Sequence, residues 1–346
     1  MIGAATLVQA RHLPFTVIGG YLGAGKTRLL NHLLSNAAGL RVVALVNDFG
    51  SVNIDVDLIR SHDGETMSLA NSCLCCSLVN GFAQAIGQIC DRADAFDHIV
   101  IEASGVADPA KIAQYGQMYR LPLDGILVVV DAEQVRTQAV NKYVGDTVLR
   151  QLAQADLIVL NKTDLVSPEA LSSLRACLAQ QSPGTPLIET VHSKVALEVL
   201  LGMGGLSTPA SPELIDAHHS HHGHAHETCT LEHSHPLSRA AIERFATALG
   251  EDIYRAKGFV YLRDDRERRY VYQKVGTRWS LEPGTPWGKE ARRTVVVMIA
   301  LAGTSGAKAF DACSGLSLAA KSASLTPGCL SEQRLTLVPR PRPKLL

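Results

Sequence analysis

Short apolar runs recur along the first 205 residues and alternate with segments of helical spacing. The runs are Phe15–Gly19, Arg41–Val46, His98–Ile101, Gly125–Val130 and Leu157–Leu160. The helical segments are Leu78–Asp91, Tyr143–Ala155 and Pro168–Gln180. Buried strands rich in Val and Ile that alternate with helices are typical of βαβ units and a mostly parallel sheet. The pattern therefore predicts an α/β domain over residues 1–205, with ligands at the carboxyl ends of its strands.

The pattern changes after this domain. Gly202–Ala217 is rich in Gly, Ser and Pro, and a histidine-rich stretch follows it, so residues 206–236 are predicted to form a linker. Helical spacing returns over Pro236–Leu249. We expect a small α+β domain over residues 237–302 and a mostly disordered tail over 303–346, where periodicity is lost. The strand-like runs of the small domain are Lys257–Leu262, Tyr270–Lys274 and Thr294–Ala300.

Composition narrows the class of protein. The 346 residues are enough for about two domains, and 46% hydrophobic with 19% charged residues excludes global disorder. Lys+Arg and Asp+Glu each number 33, so the basic excess that is usual in nucleic-acid binders is missing. No apolar run reaches the ~18 residues that a membrane span needs, and the N-terminus lacks the positive region of a signal peptide. We expect a soluble, cytoplasmic protein that binds neither nucleic acid nor membrane.

A phosphate-binding motif follows the first apolar run. Gly20–Thr27 reads GYLGAGKT, which fits G-x-x-x-x-G-K-[ST] between a predicted strand and a predicted helix. The glycines allow backbone N–H groups to surround phosphate oxygens, and the helix N-terminus adds positive partial charge. Lys26 is expected to contact the β- and γ-phosphates, and the Thr27 hydroxyl to bind Mg²⁺. The candidate phosphate-binding residues are Gly20, Gly23, Ala24, Gly25, Lys26 and Thr27.

Two further loops at strand ends complete a predicted nucleotide site. Asn161-Lys162-Thr163-Asp164 matches N-K-x-D, in which the Asp carboxylate accepts two guanine N–H groups that adenine does not present. Glu102 is expected to hold a Mg²⁺-bound water or to orient the attacking water, and the Gly105 N–H to contact the γ-phosphate. The sequence therefore predicts GTP as the nucleotide. The catalytic candidates are Lys26, Thr27, Glu102 and Gly105, and the base-binding candidates are Asn161, Lys162 and Asp164.

Cysteine and histidine clusters indicate metal binding. Cys73, Cys75 and Cys76 lie within four residues, and thiolates at this spacing favour soft or borderline ions such as Zn²⁺ or Cu⁺. Most of the 13 histidines fall within His218–His235, which either binds several ions without fixed geometry or is a solvated linker. Cys90 and Cys177 are predicted to be core residues. The metal-ligand candidates are Cys73, Cys75, Cys76, His218, His219, His221, His222, His224 and His226.

Taken together, these motifs resemble the CobW-like branch of the G3E P-loop GTPases. The resemblance rests on Gly20–Thr27, the C-x-C-C segment Cys73–Cys76, Glu102–Pro109 and Asn161–Asp164, and it extends to Arg255–Phe259 and Pro286–Gly288. It implies a P-loop NTPase domain, a small CobW-type C-terminal domain, and GTP hydrolysis coupled to delivery of a metal to a client metalloprotein. The switch segment Val46–Ser51 departs from the family, because Val46 and Ser51 stand where members of the family often carry glutamates.

Three functions compete at this point. The first is a GTPase metallochaperone for zinc, with Co²⁺ or Fe²⁺ as alternative metals. The second is a histidine-rich metal buffer with little use of GTP, and the third is a small-molecule P-loop kinase. The N-K-x-D segment disfavours the kinase, and the intact Thr27 and Glu102 disfavour a vestigial GTPase. The sequence leaves a homo-oligomer open.

Overall fold

The computed structural model describes residues 13–37, 39–46, 65–68, 85–201, 226–288 and 290–301. These residues divide into two compact units, with the division between residues 201 and 226 except that Gly184–Pro186 belong to the second unit. The Cys73–Cys76 segment, most of the predicted linker and the predicted tail lie outside the described residues. In the described part of the chain, no helix is long and apolar enough to cross a membrane.

The first unit contains a seven-stranded sheet in the order β3-β2-β4-β1-β5-β6-β7, with every neighbouring pair parallel. Residues in β1, β2, β4 and β6 are buried along their whole length, as expected for strands covered on both faces. The strands are β1 (Phe15–Gly19), β2 (Val42–Val46), β3 (Glu65–Ser68), β4 (His98–Glu102), β5 (Leu123–Asp131), β6 (Leu157–Asn161) and β7 (Leu187–Thr190).

The helices of this unit begin with recognisable sequence signals. Asp108 accepts hydrogen bonds from the first free N–H groups of one helix, and Ser167 does so for another, each followed by a proline that suits the first helical position. Residues 85–91 are also helical. The labelled helices of this unit, which include the two capped by Asp108 and Ser167, are α1 (Lys26–Ser35), α2 (Pro109–Met118), α3 (Val135–Ala139), α4 (Gly145–Ala153), α5 (Pro168–Gln181) and α6 (Leu197–Leu200).

The second unit is a five-stranded antiparallel sheet in the order β11-β10-β9-β12-β8, with one helix, α7 (Arg239–Ala248), packed on one face. Ile242 and Phe245 of the helix share a buried cluster with Tyr272 and Met298 of the sheet. The strands are β8 (His226–His233), β9 (Ile253–Val260), β10 (Arg268–Val275), β11 (Arg278–Pro286) and β12 (Thr294–Leu301). A parallel α/β unit with a separate α+β unit confirms the predicted fold class.

The structure differs from the sequence prediction at the end of the linker. Residues predicted as linker form β8, which pairs with β12 from His233↔Thr294 to His226↔Leu301. Thr228 and Thr230 alternate with Cys229 and Leu231 in the sequence, a pattern that suits a strand, and Leu231 is buried in the core of the second unit. Histidine content hid this alternation, so His226 is part of a strand rather than of a flexible segment.

The burial of Cys90 and Cys177 also differs from the sequence prediction. Cys90 and Cys177 were predicted to be core residues, and both are exposed. Cys177 lies on α5, whose buried positions are Leu174 and Leu178, so the thiol is on the outer side of that helix. Partial burial and the nearby Asp91 raise the pKa of the Cys90 thiol. The general tendency of lone cysteines to be buried does not hold here.

Candidate functional site

The Gly20–Thr27 loop connects β1 to α1 at the carboxyl edge of the sheet. Gly20, Gly23 and Gly25 have φ values of 131°, 77° and 108°, which disfavour any side chain. At Gly25 a Cβ atom would also lie 2.5 Å from Asn161 Nδ2. Gly25 carries no side chain that could cap the N-terminus of α1. This arrangement suits a phosphate group.

Lys26 lies near the end of this loop, at the first position of α1. It is buried, and its Nζ donates to the Tyr21 carbonyl oxygen at 3.3 Å. This hydrogen bond keeps the ammonium group of Lys26 against the backbone of the Gly20–Thr27 loop. A phosphate bound by the loop would therefore meet a positive charge that is already in place.

Thr27 and Glu102, each expected from the sequence to act near Mg²⁺, are joined by a hydrogen bond. The Thr27 hydroxyl donates to Glu102 Oε1 at 2.8 Å, and Glu102 is buried at the end of β4. A hydroxyl and a carboxylate at the mouth of a phosphate loop are the hard oxygen ligands that Mg²⁺ prefers. The two residues thus fit a Mg²⁺ ion that accompanies a nucleotide.

The loop after β4 lies directly against the phosphate loop. A Cβ atom at Gly105 would be 2.5 Å from Leu22 Cδ2 and 2.9 Å from Leu22 N, so only glycine allows this approach. The Ala103 N–H donates to the Ile18 carbonyl of β1 at 2.8 Å, which fixes the start of the loop. Glu102 and Gly105 are therefore adjacent to the position expected for the terminal phosphate.

Asn161 connects the phosphate loop to two other loops. Its Nδ2 donates to the Ala24 carbonyl at 2.9 Å, and its Oδ1 accepts from the Ser193 N–H at 2.8 Å. The Ser193 hydroxyl donates to the Gly25 carbonyl at 3.2 Å. The buried amide of Asn161 holds these loops together, and its contact with the nucleotide stays a prediction.

Ser193 was missed by the sequence analysis. It follows β7, a short strand that the apolar pattern did not predict, and strand ends at this edge carry the site. His192 and Ser193 have φ values of 59° and 57°, a left-handed conformation that non-glycine residues adopt at a cost. The hydrogen bonds to Asn161 and Gly25 hold Ser193 in place despite this cost.

Lys162 and Asp164 project from the loop after β6. Lys162 Nζ lies 2.6 Å from Asp131 Oδ2, and Asp131 is buried at the end of β5, where its Oδ1 accepts from the Glu133 N–H. Asp164 is exposed, so its carboxylate is accessible to a ligand. Within this motif Asn161 is buried between loops and Asp164 is exposed, and the assignment of Asp164 to the base stays a prediction.

The candidate metal ligands fall mostly outside the described residues. Cys73, Cys75, Cys76, His218, His219, His221, His222 and His224 are in this group, and their assignments stay predictions. His226 starts β8, and the rings of His233 and His235 lie edge to face with centroids 5.8 Å apart. Burial lowers the pKa of His233. Among the described residues, no group of three or more His, Cys, Asp or Glu side chains is arranged to hold a metal ion.

Comparison with known proteins agrees with both units. Residues 14–189 match the family model of the CobW/HypB/UreG nucleotide-binding domain, and residues 226–314 match the model of the cobalamin synthesis protein cobW C-terminal domain. The second match begins at the residue where β8 begins.

Similar curated proteins cover most of the chain. A protein of Pseudomonas aeruginosa named "Zinc chaperone CobW" is 33% identical over 332 residues, which is 83% of this chain and 87% of that protein. The Escherichia coli protein "Zinc chaperone YjiA" is 29% identical over 304 residues, covering 83% and 93%. The Schizosaccharomyces pombe "Zinc-regulated GTPase metalloprotein activator 1" is 34% identical over 194 residues, covering 53% of this chain and 47% of that protein.

Proposed function

Because the chain belongs to the CobW/HypB/UreG family and carries a CobW C-terminal domain, we propose that it is a GTP-hydrolysing zinc metallochaperone. Its relatives in Pseudomonas aeruginosa and Escherichia coli are named zinc chaperones, and that of Schizosaccharomyces pombe is named a zinc-regulated GTPase. The reaction converts GTP and water to GDP and phosphate. Zinc is the cargo, and a client metalloprotein receives it.

The observation that carries the proposed GTPase activity is the Thr27–Glu102 hydrogen bond across the phosphate loop. Bound Mg²⁺ would neutralise charge on the β- and γ-phosphates, and these two side chains would hold it. Lys26 adds a fixed positive charge for the terminal phosphates, and the Gly105 backbone lies close enough to the loop to respond to the γ-phosphate. Glu102 is buried, so it can orient a water molecule with little competition from bulk solvent.

Base selection rests on the loop after β6. Lys162 is held by Asp131 in a left-handed conformation, with φ 62°, and this turn places Asp164 at the surface. A carboxylate there accepts two guanine N–H groups, whereas adenine would leave it unsatisfied. GTP is therefore the proposed substrate.

Replacing Asp164 with Ala should remove most of the preference for GTP over ATP. The loss of a charge-assisted pair of hydrogen bonds is expected to cost about 1–3 kcal/mol, or roughly 5- to 150-fold in GTP affinity. ATP affinity should stay within about twofold of the native value, because adenine does not use this carboxylate. Calorimetric titration with both nucleotides measures the change.

The matched control for this variant is Asp146→Ala, which removes an exposed carboxylate on α4 outside the nucleotide-binding loops. It should leave both affinities unchanged. Equal affinity of the native protein for GTP and ATP would contradict the assignment of Asp164 and the choice of GTP.

The cargo site is proposed at Cys73, Cys75 and Cys76. Three thiolates with one further ligand complete the tetrahedral geometry that zinc prefers. Such a cluster stays reduced in the cytoplasm, which is the proposed location. The histidines from His218 to His224 are proposed as a second, weaker site that raises local zinc supply.

A further inference from the structure

Gln151 is a buried polar residue outside the set of predicted nucleotide-binding and catalytic residues. It lies on α4 in line with Val148 and Leu152, which face the core of the first unit, and only 2% of it is exposed. A buried amide on an apolar helix face destabilises the fold unless its hydrogen bonds are made. The helix could bury an apolar residue at this position without that cost, so the contacts of Gln151 call for an explanation.

The amide of Gln151 holds the loop that follows β4. Its Nε2 donates to the Gly105 carbonyl at 3.2 Å and to the Ala107 carbonyl at 2.9 Å. Since both partners are carbonyl acceptors, the NH₂ group and not the amide oxygen must face them. One side chain therefore uses both of its N–H donors on the backbone of a single loop, at two residues that flank Val106.

The same loop is held from its other side by the phosphate loop. Glu102, at the start, accepts from Thr27, and Gly105 is pressed against Leu22. Gln151 and the phosphate loop therefore both contact the segment Glu102–Ala107. If the Gln151 contacts were lost, nothing in this set of contacts would keep Gly105 against the phosphate loop except its packing on Leu22.

We propose that Gln151 is a positioning residue for GTP hydrolysis, which holds the Gly105 backbone, and through it Glu102, in the arrangement that the reaction requires. Small misplacement of groups around a reacting phosphate lowers the rate steeply, by up to about 100-fold for 1 Å. GDP binding is expected to depend on the Gly20–Thr27 loop and on Asp164, whereas the two hydrogen bonds of Gln151 go to Gly105 and Ala107. Its loss should thus lower kcat and leave GDP affinity nearly unchanged. This inference rests on the proposed GTPase activity.

Gln154, the residue that follows the last residue of α4, provides a matched comparison. It also contacts the segment after β4, but its Oε1 accepts a hydrogen bond from the Ala110 N–H at 3.2 Å. Gln151 acts as a donor and Gln154 as an acceptor. Substitution by Glu keeps the size and the acceptor atoms but removes the NH₂ donor, so it should break the contacts of Gln151 and preserve that of Gln154.

The test measures kcat, KM and GDP affinity of Gln151→Glu, Gln151→Met and Gln154→Glu in the full chain from about pH 5.5 to pH 8. At pH 8 both Gln151 variants should lose about tenfold or more in kcat, with GDP affinity close to native. Gln154→Glu should keep the native kcat. Burial against two carbonyl oxygens should raise the pKa of the carboxyl group introduced by Gln151→Glu.

The pH profile separates positioning from simple damage. Below its raised pKa the introduced carboxyl group is protonated and regains one O–H donor, so kcat of Gln151→Glu relative to native should recover as pH falls. Gln151→Met has no titratable group and should show no recovery. A loss in Gln151→Glu that is independent of pH, native kcat in both Gln151 variants, or an equal loss in Gln154→Glu would overturn the inference. Absence of GTP hydrolysis by the native protein would instead overturn the proposed function.

Discussion

Replacing Lys26 with Ala is expected to lower GTP hydrolysis by at least about 100-fold, the scale seen when one donor to a developing negative charge is removed. The ammonium group is already held at the phosphate loop by the Tyr21 carbonyl at 3.3 Å, so it needs no reorganisation when GTP binds. Without it, the charge that builds up on the phosphates during bond cleavage meets no fixed cation from the loop. Phosphate release under saturating GTP measures the effect.

Lys111→Ala provides the control for charge alone. Lys111 is exposed on α2, away from the Gly20–Thr27 loop in the sequence, and its removal also lowers the net charge by one. It should hydrolyse GTP at the native rate. Turnover by Lys26→Ala within tenfold of native would show that the loop does not carry the chemistry assigned to it.

Replacing Cys73, Cys75 and Cys76 together with Ser is expected to abolish tight zinc binding. Zinc sites built on thiolates are worth roughly 10–16 kcal/mol in apparent binding free energy, and most of that comes from the deprotonated sulfurs. Serine keeps the size but offers a hydroxyl group that does not ionise near neutral pH. Competition with a chromophoric chelator measures the affinity, and the native protein should bind about one Zn²⁺ tightly.

Two controls accompany the triple variant. The double variant Cys90→Ser, Cys177→Ser removes exposed thiols outside the proposed site and should bind zinc as the native protein does. Deletion of residues 218–224 should lower the number of weakly bound ions and leave the tight site. A longer deletion through residue 235 would remove β8 and damage the second unit. Tight zinc in the triple Ser variant would place the cargo site elsewhere.

Much of the nucleotide site could be predicted because its parts are local in sequence. The Gly20–Thr27 motif, the strand before it and the helix after it are contiguous, and the Thr27–Glu102 contact follows from strand ends meeting at one edge of a parallel sheet. The predicted bounds of β1 coincide with those in the structure. The predicted family, GTPase class and zinc cargo agree with the matched family models and with the names of the relatives.

Features that depend on distant partners could not be predicted in this way. β8 pairs with β12, more than 60 residues later, and its histidines concealed the alternation that would have marked a strand. The role of Asn161 depends on Ala24 and Ser193, which no spacing rule connects to it. Gln151 is a polar residue on a helix, and only the packed structure shows that it is buried against the Gly105 loop.

The proposed metallochaperone function requires that zinc and nucleotide bind to one coupled system, in which the affinity of each depends on the other by the same factor. The most direct measurement is the zinc affinity of the native protein in the presence of excess GDP and of excess non-hydrolysable GTP analogue, each with Mg²⁺. The account predicts that the two zinc dissociation constants differ by about fivefold or more, and that the difference disappears in the triple Ser variant. Equal zinc affinity in the two nucleotide states would contradict it.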